Sequence, residues 1–161
     1  VQLFGDVQVG AHPYWYVVPY ETNVEQAQQK LRQREFQAGR YNPVTPFPEF
    51  PIRLDSATPG PQHNSIEDVL ENLNEDGTRS ILDIAQAARS PIDDDQMPFC
   101  TAFPLVDSDL VELFGTPRPT RQVVEANRSM WDHIARGSAI YVTLYDNDEP
   151  SEILFAGYSF D

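Results

Sequence analysis

Apolar residues crowd together without alternation in a few short runs of this chain, and between those runs they recur at helical spacing. Tyr14-Trp15-Tyr16-Val17-Val18, stopped by Pro19, predicts a buried strand at the centre of the sheet. Ala139 to Tyr145 and Glu152 to Tyr158 flank the polar stretch Asp146-Asn147-Asp148-Glu149-Pro150 and predict a C-terminal hairpin. Phe99 to Leu105 predicts a further strand, while residues 1–13, with only Val7 and Val9 alternating, read as an arm or an edge strand. Val24, Ala27, Leu31 and Ala38 share one helical face behind a Thr22–Glu25 capping box and ahead of Gly39, which leaves Glu25, Gln28, Gln29, Arg32 and Glu35 for a solvent-facing surface. Ser65 caps a short helix with Ile66, Val69, Leu70 and Leu73 on its apolar face, ended by Glu75-Asp76-Gly77. Ser80 to Ile84 fits a strand or a helix equally well. Asp107 or Ser108 opens a helix that Gly115 closes, and Thr120 opens another with Val123, Val124, Trp131 and Ile134 inward, the two forming a helical hairpin.

Between Arg40 and His63 the pattern breaks. Pro43, Pro46, Pro48, Pro51, Pro59 and Pro61 forbid a long helix or a central strand, yet Tyr41, Phe47, Phe50, Ile52 and Leu54 are too apolar for a free linker. The segment reads as a long, ordered, proline-rich loop draped over the domain. Its Arg40-to-Pro46 and Pro48-to-Arg53 stretches match two polyproline ligand patterns, but the interleaved phenylalanines favour packing on the chain's own core. The expected fold class is α+β: one domain over residues 1–161, with a mostly antiparallel sheet of about four to six strands, the C-terminal hairpin beside the Tyr14 strand, and about three to four helices covering it.

Charge narrows the partners. The 161 residues carry a formal net charge of −14, which repels phosphate backbones and anionic headgroups and so argues against nucleic acid and membrane surfaces. No apolar run reaches the roughly 18–20 residues of a membrane span. From Lys30 to Arg53 five bases face two acids, a local balance of +3, so one cationic patch on an acidic body is a further expectation. Cys100 is the only cysteine, which excludes an internal disulfide framework and sets a reducing compartment, the cytoplasm, as the expected location.

Few constellations carry chemistry. Asp93-Asp94-Asp95 has the oxygen ligands of a hard cation, but an EF-hand loop begun there places Pro104 where glutamate is required, and one begun at Asp146 meets Ser151 and Gly157 at its glycine and glutamate positions. Cys100 with His12, His63 and His133 supplies a thiol and bases without any local arrangement, and a small buried thiol in a strand is the simpler reading. His63 is the better chemical candidate, since it precedes a helix N-terminus. No GxGxxG, GxSxG or HExxH pattern occurs, and no cofactor or metal site is expected. Gly39-Arg40-Tyr41-Asn42-Pro43 resembles the Gly-Arg-aromatic-Asn-Pro stretch of RES-domain toxins, which consume NAD. The resemblance spans five residues and transfers no activity; Glu35, Arg40, Tyr41 and Glu49 are the positions it singles out.

The functional expectation is a small acidic interaction protein, of inhibitor or immunity type, that meets a basic protein partner through Asp93, Asp94, Asp95, Glu67, Asp68, Glu71, Glu75 and Asp76. Two alternatives stand beside it. One is a small enzyme acting on an anionic substrate held by Arg40, Arg53 and His63. The other is a subunit of a larger assembly, which calls for an exposed apolar patch.

Overall fold

Three of the apolar runs become three neighbouring strands in the computed structural model, which describes residues 12–45, 51–72, 77–90 and 100–159. Strand β1 (Pro13–Pro19) pairs antiparallel with β5 (Glu149–Tyr158), which pairs antiparallel with β4 (Ala139–Asp146), so the hairpin does lie against the Tyr14 strand. The hairpin turn sets Asn147 and Asp148 both at positive φ (50° and 62°), as a two-residue turn matched to strand twist requires, and a bulge after Leu144 takes up Ser151.

The sheet is mixed: its longer pairings are antiparallel as expected, but it is not purely antiparallel. β3 (Thr101–Pro104) lies parallel to β4, and β2 (Gln86–Ala87) parallel to β3, giving the order β1-β5-β4-β3-β2. The reason is the connection from β3 to β4, which runs through helices and returns the chain in the same direction. Hairpin patterns are visible within a few residues, whereas a crossover is a long-range event.

Helices cover both faces, which is why the strands read as continuous apolar runs instead of alternating ones. On one face α1 (Val24–Ala38) presses Ala27 and Leu31 onto Tyr14, Tyr16, Ile153 and Phe155. On the other, α3 (Asp107–Phe114), α4 (Arg121–Ala126) and a 3-10 turn over Arg128–His133 bring Leu110, Phe114, Val124, Met130 and Trp131 onto Trp15, Ile140, Val142, Leu144 and Leu154. A third cluster joins Phe36, Tyr41 and Val44 to Leu82 and to Ile66 and Val69 of α2 (Ile66–Asn72).

Helix boundaries follow local chemistry. Asn23, not Thr22, caps α1 by accepting from the Gln26 amide (3.2 Å), so the expected capping box is displaced by one residue; Gly39 ends the helix at φ 72°. Ser65 caps α2 and Thr120 caps α4 as anticipated, but neither Asp107 nor Ser108 caps α3: its N-cap position is Val106, which offers no side-chain hydrogen bond. Ser80 to Ile84 is neither strand nor α-helix but a capped 3-10 turn over Ile81–Asp83. The single helix expected from Thr120 to Ile134 breaks at Asn127, whose extended backbone ends α4 while its side chain accepts from the Ser129 amide (2.9 Å). Val123 consequently points outward instead of into the core.

β1 lies at the edge of the sheet, not at the expected centre; Ile52 forms a parallel bridge to Tyr14, with Trp15 N donating to Ile52 O (2.8 Å), so part of the proline-rich loop covers that edge and buries the run. Residues 40–45 and 51–62 hold no helix, and Tyr41, Val44 and Ile52 are buried in the chain's own core; Phe47, Phe50 and the 1–11 part of the expected arm lie outside the described residues. No helix among the described residues is long and apolar enough to cross a membrane.

Candidate functional site

The C-terminal turn of α1 places Glu35 and Phe36 on the inner face of the helix, and the left-handed Gly39 then reverses the chain. A Cβ at Gly39 would collide with the Gly60 carbonyl, so this turn and the returning loop touch backbone to backbone. The reversal brings the Arg40 guanidinium onto the Glu35 carboxylate. Nη2 meets Oε2 at 2.6 Å, Nε lies 2.9 and 3.0 Å from Oε1 and Oε2, and Nη1 donates to the Ser56 carbonyl (3.1 Å). Both side chains are buried, at 3% and 0% exposure. Burial by itself lowers the Arg40 pKa, but the hydrogen bonds and charge of Glu35 outweigh it and leave it raised, so the guanidinium stays charged. Tyr16 faces the same carboxylate from β1, and burial first, then the charge of Glu35, pushes its phenol far above the ordinary range.

The residues after Arg40 are used the same way. Tyr41 stacks on Phe36 (centroids 6.0 Å, planes 13° apart), accepts from the Gln62 amide (3.2 Å) and sits 2.8 Å from His63 Nδ1. The Asn42 amide donates to Thr78 O (2.7 Å), and its side chain donates to Gly77 O (3.2 Å). The stretch that resembles RES-domain toxins is therefore a tie among α1, the loop at residues 56–63 and the turn at residues 77–78. Each of its polar side chains already has a partner within the chain.

A second buried polar group lies along α1. Gln28 donates to the carbonyls of Ile84 (2.7 Å) and Gln86 (3.1 Å), and Arg32 donates to Leu82 O (2.8 Å) and Gln29 Oε1 (3.1 Å). Gln28, Arg32 and Glu35 are buried, which corrects the expectation that they form a solvent face. Their i, i+4, i+7 spacing is the signal that places them on one stripe beside Ala27 and Leu31. Cys100 precedes β3 in a left-handed conformation (φ 65°) and is half-buried. Burial and then Asp83 push its thiol up, with Arg32 only partly offsetting them. A raised thiol is protonated near neutrality, the opposite of an activated nucleophile.

The residues expected to hold an anionic substrate do not converge. Arg40 is committed to Glu35, and half-buried His63 is committed to Tyr41. Arg53 is exposed and lines a cavity of about 330 Å³ beside Trp15 and Trp131, on the sheet face opposite α1. Of the five bases expected to form a cationic patch, Arg32 and Arg40 are buried. Among the acids, Glu67 and Glu71 are exposed on α2, and Asp68 is half-buried, accepting from the Asn64 amide (3.1 Å) and from Asn72 (2.9 Å). Asp93, Asp94, Asp95, Glu75, Asp76 and Glu49 lie outside the described residues. Sequence reasoning missed Tyr16 and Trp131 as polar-site and cavity residues, because each lay in a stretch read purely as core. Exposed His133 ends the 3-10 turn.

No group of three or more histidine, cysteine, aspartate or glutamate side chains that could hold a metal ion occurs among the described residues. Comparison with family models, with curated proteins and with solved structures gave no match.

Proposed function

We propose that this chain is a non-enzymatic interaction protein whose acidic surface engages a basic protein partner. One observation carries the reading: among the described residues, folding buries more positive than negative charge. Among the described residues Glu35 is the only buried carboxylate, whereas Arg32 and Arg40 are both buried. The surface is thus more negative than a formal charge of −14 already implies. Such a field accelerates encounter with cationic partners and rejects anionic ones.

The outer face of α2 is the best-defined contact candidate. Ile66 and Val69 point inward as expected, but Leu70, expected beside them, shares the opposite face with Glu67 and Glu71 and is 40% exposed between the two carboxylates. An apolar contact framed by acids suits a basic, amphipathic counterpart of the kind that an inhibitor or immunity protein meets. The enzyme alternative needs a free cation beside His63, and Arg40 is already neutralised. The exposed Leu70, Val111 and Val123 that an assembly subunit would use stand on three different helices.

Affinity capture from the native source supplies the partner, and its association rate with the purified chain is then measured across ionic strength. The reading predicts a rate that falls steeply with salt, and that falls about tenfold when Glu67→Gln and Glu71→Gln are combined. Association indifferent to both salt and these substitutions would sink it.

A further inference from the structure

Trp15 and Trp131 are the only tryptophans in the chain, and they meet at a centroid distance of 5.9 Å on the floor of one cavity. That cavity, about 330 Å³, continues into a second of about 200 Å³ that shares Trp15 and Arg53, so the two form a groove within the range of small-molecule sites. Its polar side chains are not equally available. Glu125 is bound by Arg121 (3.0 Å), and Arg121 also reaches Glu152 (3.3 Å). Asn127 spends its oxygen on the Ser129 amide and its nitrogen on the Leu113 carbonyl. Arg53 and Arg128 remain, both exposed and neither with a side-chain partner among the described residues. In a chain of charge −14, two free guanidiniums flanking an indole floor form an unusual local field, and one that attracts the species the rest of the surface repels.

We propose that this groove binds a small anion carrying a planar ring, an aryl carboxylate or aryl phosphate. Its charged end sits between Arg53 and Arg128, and its ring lies against Trp15 and Trp131. Guanidinium forks suit carboxylate and phosphate oxygens, and indole edges and faces accept an aromatic ring. Asp55, which lines the smaller cavity, repels a second negative group and so favours a ligand charged at one end only. The site is separate from the acidic face of α2, which packs on the α1 side of the molecule.

Because both tryptophans line the groove, intrinsic fluorescence of the full chain reads occupancy directly. Benzoate and phenyl phosphate serve as probes, with benzyl alcohol and inorganic phosphate as controls. The expected result is a saturable change with at least one aryl anion, weakened at least about tenfold for benzyl alcohol, for inorganic phosphate and in the Arg53→Gln/Arg128→Gln variant. Both arginines are exposed, so the variant should keep the thermal midpoint of the parent chain. The tighter of the two probes identifies the anionic group. No saturable change with either, equal binding by benzyl alcohol or inorganic phosphate, or unchanged binding by the folded double variant overturns the proposal.

Discussion

The two faces of the sheet solve the same packing problem with different materials. Under α1 the core is threaded with polar groups: Gln28, Arg32, Glu35 and Arg40 are buried beside Tyr14 and Tyr16. Under α3 and α4 the interior is almost wholly apolar, built from Trp15, Phe114, Val124, Met130, Trp131, Leu144 and Leu154, with its arginines left at the rim. A buried polar network tolerates only the partner each group already has, because an orphaned charge or donor costs its full desolvation. An apolar core asks only for volume and shape. The first face therefore fixes how loop and helix meet, and the second leaves polar groups free to meet something else.

The largest effect should come from breaking the first face. Arg40→Ala leaves the Glu35 carboxyl without its partner at 0% exposure, and urea unfolding should show a loss of about 3–5 kcal/mol. Arg40→Lys should recover little of it, since a point charge cannot reproduce the bidentate contact and the bond to Ser56. On the second face, Leu154→Ala should cost roughly 2–5 kcal/mol as a cavity, but Leu154→Met less than about 1.5 kcal/mol. A Leu154→Met loss as large as that of Arg40→Lys would erase the contrast.

A smaller and pH-gated difference follows from the phenols. Burial raises Tyr14, Tyr16 and Tyr141 above the ordinary value of 10.0, and burial with the nearby Asp132 pushes Tyr158 up to about 12. Folding thus favours the protonated phenols. Their contribution is complete below pH 10 and is lost as pH climbs from there through the folded values, so the urea midpoint should start falling near pH 10 while tyrosinate absorbance rises with unfolding. Tyr14→Phe removes one such phenol and should make that fall shallower.

Local signals made much of the fold legible. Dense apolar runs marked β1, β4 and β5, while Gly39, Gly115, Ser65 and Thr120 marked helix ends, because strand burial and capping are decided within a few residues. What escaped was decided at a distance. The parallel pairing of β3 with β4 depends on a crossover of more than thirty residues. Gln28, Arg32 and Glu35 read as solvent-facing because their partners, the carbonyls near residue 84 and Arg40, reach them only after folding. The same holds for the site: Arg40 and His63 were visible as reactive types, but their prior commitment to Glu35 and Tyr41 was not. Arg53 was grouped with them by proximity in sequence and instead joins Arg128, 75 positions away.

The claim on which this contrast rests is that Arg40 is committed to Glu35, with a further bond to the Ser56 carbonyl, and not to a ligand. A double-mutant cycle by urea unfolding, using Glu35→Leu, Arg40→Met and the pair together, measures it directly. The two single variants should each lose about 3–5 kcal/mol and the double variant should regain most of that loss, as replacement of a buried ion pair by apolar side chains does. Single losses below about 0.5 kcal/mol that simply add in the double variant would mean that the two residues are not coupled, and that Arg40 is free for a ligand after all.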